Sequence, residues 1–140
     1  AAARYALGQL KEAEEDYTVV LSTVPSSGLY EDRAAVRFKL GDFIGSQLDF
    51  SRAIEKSPKD GRLYRARAHV RWKLSDGSGA LRDLDEAIQL QPAEALLYWW
   101  RGKVKQALSD HVGAEHDYQS ALRLDPSIQE KMTVHRDVPL

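Results

Sequence analysis

Residues 61–92 read GRLYRARAHVRWKLSDGSGALRDLDEAIQLQP, and this stretch decides the fold. Its first half places Tyr64, Ala68 and Arg71 on one side of a helix, with Leu63, Val70 and Leu74 nearby. Ser75-Asp76-Gly77 then breaks the pattern as a turn. A second amphipathic run follows through Ala80, Leu84, Ala87, Ile88 and Leu90. Pro92 stops it, because proline has no amide to donate and its ring clashes with the preceding turn. The stretch is two helices joined by a tight turn.

Outward from it, the same unit returns on both sides. Pro25, Pro58, Pro92 and Pro126 are spaced 33, 34 and 34. Tyr30, Tyr64 and Tyr98 are 34 apart, and so are Arg33, Arg67 and Arg101, Val36, Val70 and Val104, Leu40, Leu74 and Leu108, and Asp42, Asp76 and Asp110. Asp16, Asp49, Asp83 and Asp117 follow at 33, 34 and 34. Small residues recur where paired helices would approach closely: Ala34, Ala68 and Gly102, opposite Ala13, Ser46, Ala80 and Ala114. The pattern predicts first helices near 28–40, 61–74 and 95–108, and second helices near 9–23, 43–56, 77–90 and 111–124. No segment alternates with period two for long enough to form a strand.

These columns resemble the tetratricopeptide-repeat (TPR) family, whose unit is 34 residues long. That unit carries a small residue at position eight, glycine at fifteen, alanine at twenty, an aromatic at twenty-four, alanine at twenty-seven and proline at thirty-two. Ala34, Gly41, Ser46, Phe50, Ala53 and Pro58 fill those places in order. Ala68, Ser75, Ala80, Leu84, Ala87 and Pro92 fill them next, then Gly102, Ser109, Ala114, Tyr118, Ala121 and Pro126. Gly8, Ala13, Tyr17, Val20 and Pro25 supply the tail of an earlier unit. Ser75 and Ser109 depart from the glycine, Leu84 from the aromatic, and tyrosine stands in the usual tryptophan place. The resemblance implies an all-α, right-handed superhelical solenoid of antiparallel helix pairs. It has about three complete units, 27–60, 61–94 and 95–126, after a partial one at 1–26. Residues 127–140 are expected to form a partial cap or tail, with a helix starting around Ile128 and Met132 and ended by Val138-Pro139. Ala1 falls at position eight of its unit, so the chain is expected to be part of a longer array.

Composition narrows the function. At 140 residues and 43% hydrophobic content, one ordinary core can form. The net charge of -1 gives no general drive toward nucleic acid. No apolar run approaches the length of a membrane span, and the first residues lack a signal peptide's apolar stretch. With no cysteine, disulfides and thiolate zinc sites are excluded, which fits a reducing compartment. A cytoplasmic location is therefore expected.

No set of catalytic residues is evident, so the chain is expected not to be an enzyme and to need no cofactor. His111 and His116 stand five apart, roughly 140° around a helix, whereas helical metal pairs need three or four. Asp83, Asp85 and Glu86 read as a solvated face. Gly77-Ser78-Gly79 lacks the lysine and preceding strand of a phosphate loop.

Two residue sets stand out. Arg33, Arg67 and Arg101 fall at position seven, where the family usually has leucine, and Asp49, Asp83 and Asp117 fall at twenty-three. In antiparallel helices these positions can meet, so they read as structural ion pairs, one per unit. Gly45, Gly79 and Gly113 also recur, early in second helices, where glycine costs up to about 1 kcal/mol against alanine. The second set is implied by the resemblance: first helices line a concave groove through positions two, five, nine and twelve. Here those are Gly28, Glu31, Ala35 and Phe38; Arg62, Arg65, His69 and Trp72; and Leu96, Trp99, Lys103 and Gln106. Spacings of three and four keep each set on one helical face. Arginine and aromatics there are the residue types enriched at binding hot spots. Of Trp99 and Trp100, one ring is expected in the groove and the other in the core or against the neighbouring repeat. One family subset clamps chaperone carboxylates with lysine, arginine and two asparagines; this chain has no asparagine.

The function expected is a protein–protein interaction scaffold whose groove holds an acidic or amphipathic segment, with no nucleic acid, membrane or small-molecule substrate. The alternatives are a packing module inside a large assembly and, against the acidic second helices, an RNA-binding helical repeat.

Overall fold

The computed structural model describes residues 2–134. They form eight helices: α1 (Ala2–Thr23), α2 (Ser27–Lys39), α3 (Phe43–Lys56), α4 (Gly61–Lys73), α5 (Gly77–Leu90), α6 (Ala95–Ala107), α7 (His111–Leu124) and α8 (Ile128–Val134). Strands are absent among the described residues. The pairs α2–α3, α4–α5 and α6–α7 pack most extensively, and each pair then packs on the next. This is a helical solenoid, in which every unit leans on its neighbours.

The turns inside the pairs repeat one device. The chain reverses through a left-handed residue, Gly41 at φ 82°, Ser75 at φ 61° and Ser109 at φ 67°. The next residue caps the second helix: Asp42, Asp76 and Asp110 accept hydrogen bonds from the amides of Gly45, Gly79 and Gly113 at 2.9, 2.9 and 3.0 Å. A short acceptor at that place satisfies an amide the helix itself cannot. It also accounts for the recurring glycines. A Cβ on Gly45, Gly79 or Gly113 would sit 2.8, 2.7 or 2.8 Å from the capping aspartate's Cγ, so the carboxylate folds over a backbone that has no side chain.

The small-residue columns set the close approach. Ala34, Ala68 and Gly102 are buried against Ser46, Ala80 and Ala114. Ser46 Oγ donates to the Ala34 carbonyl at 2.8 Å, and a Cβ on Gly102 would come within 3.2 Å of the Ala114 carbonyl oxygen. Leu63, Leu84 and Leu97 are fully buried, so Leu84 fills the place where its counterparts are Phe50 and Tyr118.

The N-terminal end departs from the sequence pattern. A second helix is expected near 9–23, yet α1 runs unbroken from Ala2 to Thr23. The cap column explains it: the place held by Asp42, Asp76 and Asp110 falls on Gln9, and glutamine is not among the favoured caps. Without a cap to stop it, the helix continues through Gly8. At the other end, Ile128 of α8 is buried against Ala95 and Ala121, with Met132 packed beside them. The expected terminator Val138-Pro139 lies outside the described residues, as does His135.

The candidate groove and the ion-pair ladder behind it

Each unit holds its carboxylate the same way. Asp49, Asp83 and Asp117 are buried, and each receives two hydrogen bonds from one guanidinium. Arg33 Nε and Nη2 donate to Asp49 at 2.9 and 2.8 Å, Arg67 to Asp83 at 3.0 and 2.7 Å, and Arg101 to Asp117 at 2.9 and 2.7 Å. Bidentate arginine–carboxylate geometry is the strong form of this contact. The carboxylate bonds hold the Arg33 and Arg101 guanidinia above their ordinary pKa, against the opposing effect of burial.

Sequence reasoning missed two layers of this ladder. A second cation, one helical turn further on, closes each carboxylate: Arg37 on Asp49 at 3.1 Å, Arg71 on Asp83 at 3.0 Å and Lys105 on Asp117 at 3.1 Å. The remaining arginine nitrogen reaches back to the preceding second helix. Arg33, Arg67 and Arg101 Nη1 donate to Thr18 Oγ1, Ser51 Oγ and Asp85 Oδ1 at 3.2, 3.2 and 3.0 Å. Each arginine thus joins three helices and two units. The signal was in the sequence: Arg37, Arg71 and Lys105 recur at 34, and Thr18, Ser51 and Asp85 at 33 and 34. The guanidinia also lie 5.9, 5.8 and 5.6 Å from the rings of Tyr30, Tyr64 and Tyr98. The Tyr64 and Tyr98 hydroxyls donate to the carbonyls of Pro58 and Pro92 at 3.0 and 2.9 Å, tying those first helices to the loops that precede them.

Nine of the twelve groove positions, all but Gly28, Ala35 and Leu96, fall into separate groups. Glu31 and Arg62 face one another at 3.5 Å, and Arg62 also binds Asp60 at 2.9 Å, so this end carries little free charge. The Phe38 ring lies 4.7 Å from the His69 ring and 5.1 Å from Phe43. Burial, and secondarily Lys73, lower the pKa of His69 to about 4, so its ring is neutral at pH 7. Its Nε2 is buried without a hydrogen-bond partner. Arg65 lies over the ring of Trp100 at 5.2 Å, a cation–π arrangement.

Trp72, Lys103 and Gln106 come together with Val104 and Ala107 around a recess of about 290 Å³. Lys103 is exposed and makes no ion pair among the described residues. Gln106 accepts a hydrogen bond from the Tyr118 hydroxyl at 2.7 Å, and Tyr118 in turn packs on Trp99 with ring centres 4.7 Å apart. Of the two adjacent tryptophans, Trp100 is in the core, while Trp99 is half-buried and packs near Ile128 and Met132. Trp99 is therefore also part of the packing that holds α8.

No protein-family model and no curated protein sequence matches the chain. Solved structures do. The chain is similar to MamA, with a TM-score of 0.80 and 17% identity over 89% of this chain and 74% of that one. It is similar to the first TPR of Spaghetti (RPAP3) bound to the HSP90 peptide SRMEEVD, with a TM-score of 0.70, 22% identity and coverage of 80% and 91%. It is similar to the Arabidopsis OM64 TPR domain, with a TM-score of 0.68, 20% identity and coverage of 73% and 84%. With its 34-residue helix pairs, its small-residue columns and these likenesses, the chain has the fold of the tetratricopeptide repeat.

Proposed function

We propose that the first-helix face of α2, α4 and α6 holds a segment of another protein that carries acids beside an apolar anchor. The observation behind this reading is the Trp72–Lys103–Gln106 recess. There an aromatic wall, an uncompensated cation and an amide share one concavity, which is the usual composition of a recognition site. The likeness to the Spaghetti TPR supports it, since the peptide in that structure, SRMEEVD, combines acids with methionine and valine. Without asparagine, this chain would meet acids through Lys103 and Arg65.

The test is to recover partners with the 140-residue chain, map the bound segment, and titrate it against Lys103→Glu and Trp72→Ala. Lys103→Glu should weaken binding about tenfold and slow association most at low salt, because steering by exposed charge is screened by ions. Trp72→Ala should cost about 2 kcal/mol if the ring is a central anchor. Wild-type affinity in both variants, with helicity unchanged, refutes the groove reading.

One observation favours the packing-module alternative. Ile44 on α3 and Val112 on α7, members of one column, are 72% and 85% exposed on second helices. Loss of partner binding in Ile44→Asp or Val112→Asp, with groove variants unaffected, would decide for it.

A further inference from the structure

The three units of the ladder are not equally balanced in charge. In the first, Arg33 and Arg37 face two carboxylates, Asp49 and, through Arg37 Nε at 3.1 Å, Glu14. In the third, Arg101 and Lys105 also face two, Asp117 and Asp85. In the second, Arg67 and Arg71 share Asp83 alone. Neutral side chains hold the places of the missing acids: Ser51 stands where Asp85 does, and Gln47 where Glu14 does. Ser51 Oγ accepts from Arg67 Nη1 at 3.2 Å. Arg71 Nε, whose counterpart on Arg37 holds Glu14, is buried without a hydrogen-bond partner among the described residues. Besides Asp83, Arg71 reaches only the Gly79 carbonyl, at 3.5 Å. Two largely buried guanidinia on one carboxylate leave a positive charge uncompensated, which a protein interior tolerates poorly.

Arg67 and Arg71 also line an open recess of about 550 Å³. Its other walls do not supply the missing acid. Asp83 is shared by both arginines, and Asp85 is held by Arg101 at 3.0 Å. Arg82 and Glu86 are exposed one turn apart on α5 and carry opposite charges. Gln89 adds an amide. With Asp85 assigned to Arg101, three cations stand against two carboxylates.

We propose that this recess binds an oxyanion, a carboxylate or phosphate group carried by a ligand, against Arg67 and Arg71. The flanking units show the chemistry that fits. In each, one further carboxylate from the preceding second helix, Glu14 of α1 or Asp85 of α5, meets the arginine that the shared aspartate does not fully satisfy. In the middle unit that helix is α3, which offers a hydroxyl and an amide instead, so the negative charge must come from outside the ladder. Guanidinium groups present N–H donors in a fork that suits carboxylate and phosphate oxygens alike. The proposal rests on the ladder and is independent of the groove reading.

The probes are inorganic phosphate and glutarate, each titrated into the isotope-labelled 140-residue chain against chloride at matched ionic strength. The arginine Nε–H resonances of Arg67 and Arg71 should shift and saturate with a probe and not with chloride, because general screening by salt has no stoichiometry. Those of Arg33 and Arg101, in the balanced units, should move far less. Saturation by phosphate alone assigns the site to a phosphate-bearing ligand, and saturation by glutarate assigns it to a carboxylate. Ser51→Asp places an acid where Asp85 stands in the next unit, and Gln47→Glu places one where Glu14 stands. Each should weaken the probe at least fivefold and raise Tm by about 2 °C, so loss of binding is not loss of fold. Shifts no different from those in chloride overturn the proposal, as do equal shifts at all the ladder arginines or unchanged affinity in both variants. A Tm at or below that of the wild type in both variants overturns it too, since no charge is then missing.

Discussion

Replacing Asp83 by alanine removes the carboxylate on which α4 and α5 converge. The structure gives the size of the effect. Asp83 accepts two hydrogen bonds from Arg67, at 3.0 and 2.7 Å, and lies 3.0 Å from Arg71 Nη1. Hydrogen bonds to charged groups each contribute about 1.5–3 kcal/mol, and breaking a buried pair by deleting one member costs about 3–5 kcal/mol. Two features lower that figure. The Arg67 and Arg71 side chains are 16% and 18% exposed, so neither is sealed from water. Arg67 also keeps its bond to Ser51. A loss of about 3 kcal/mol follows, within roughly 2–4. For a 140-residue chain that is a fall in Tm of about 10 °C. The assay is urea and thermal unfolding followed by far-ultraviolet circular dichroism, with Glu86→Ala and Asp16→Ala as controls. Both controls are exposed, and Asp16 occupies the same column without its cations, so each should stay within about 0.5 kcal/mol of wild type. If Asp83→Ala shifts the transition no further than Asp16→Ala, the ladder does not stabilise the stack and the reasoning is wrong.

Two further outcomes follow from single sites. His69 has its pKa lowered to about 4 in the folded chain against about 6.5 unfolded, so the stability it supports is fully present above pH 6.5 and is lost as pH falls toward 4. The urea midpoint of the wild type should drop over that window and that of His69→Leu should drop less; equal slopes would show that the imidazole is not held neutral. Gly113→Ala should be near neutral or destabilising, because the helix-propensity gain of about 1 kcal/mol is offset by the lost cap of about 1 kcal/mol. In an Asp110→Ala background the same change should stabilise, and an unchanged sign in urea unfolding would mean that the capping carboxylate is not what excludes a side chain there.

The helix pairs were legible because each unit repeats its own evidence. Pro58, Pro92 and the aspartates at 42, 76 and 110 mark where helices stop and start, and the structure places helix ends beside them. The N-terminus departs from the repeat register because the cap column there holds Gln9, which supplies no cap, and α1 runs straight through Gly8. The partners of Arg33, Arg67 and Arg101 were legible from spacing, since positions sixteen apart across a three-residue turn face one another in a hairpin. Their other contacts were not, because Thr18, Ser51 and Asp85 differ in chemistry and share only the ability to accept a hydrogen bond.

The ladder also changes what the charge of the first helices means. Read as a sum, the cations of 61–74 suggest a strongly basic groove. In the structure Arg67 and Arg71 are engaged with Asp83, and Arg33, Arg37, Arg101 and Lys105 are engaged likewise in the units either side. Arg62 is matched by Glu31 and Asp60. What remains on α4 and α6 is local: Lys103 beside Trp72, Arg65 lying over Trp100, and the exposed Lys73 near His69. On the groove reading we propose, such a surface would discriminate by where a partner's acids fall relative to its apolar anchor. It does so far more than by the partner's total charge, because a few fixed cations reward one spacing and leave others unpaired. Two peptides of equal composition but shifted acids should therefore differ in affinity more than two of equal spacing and different net charge.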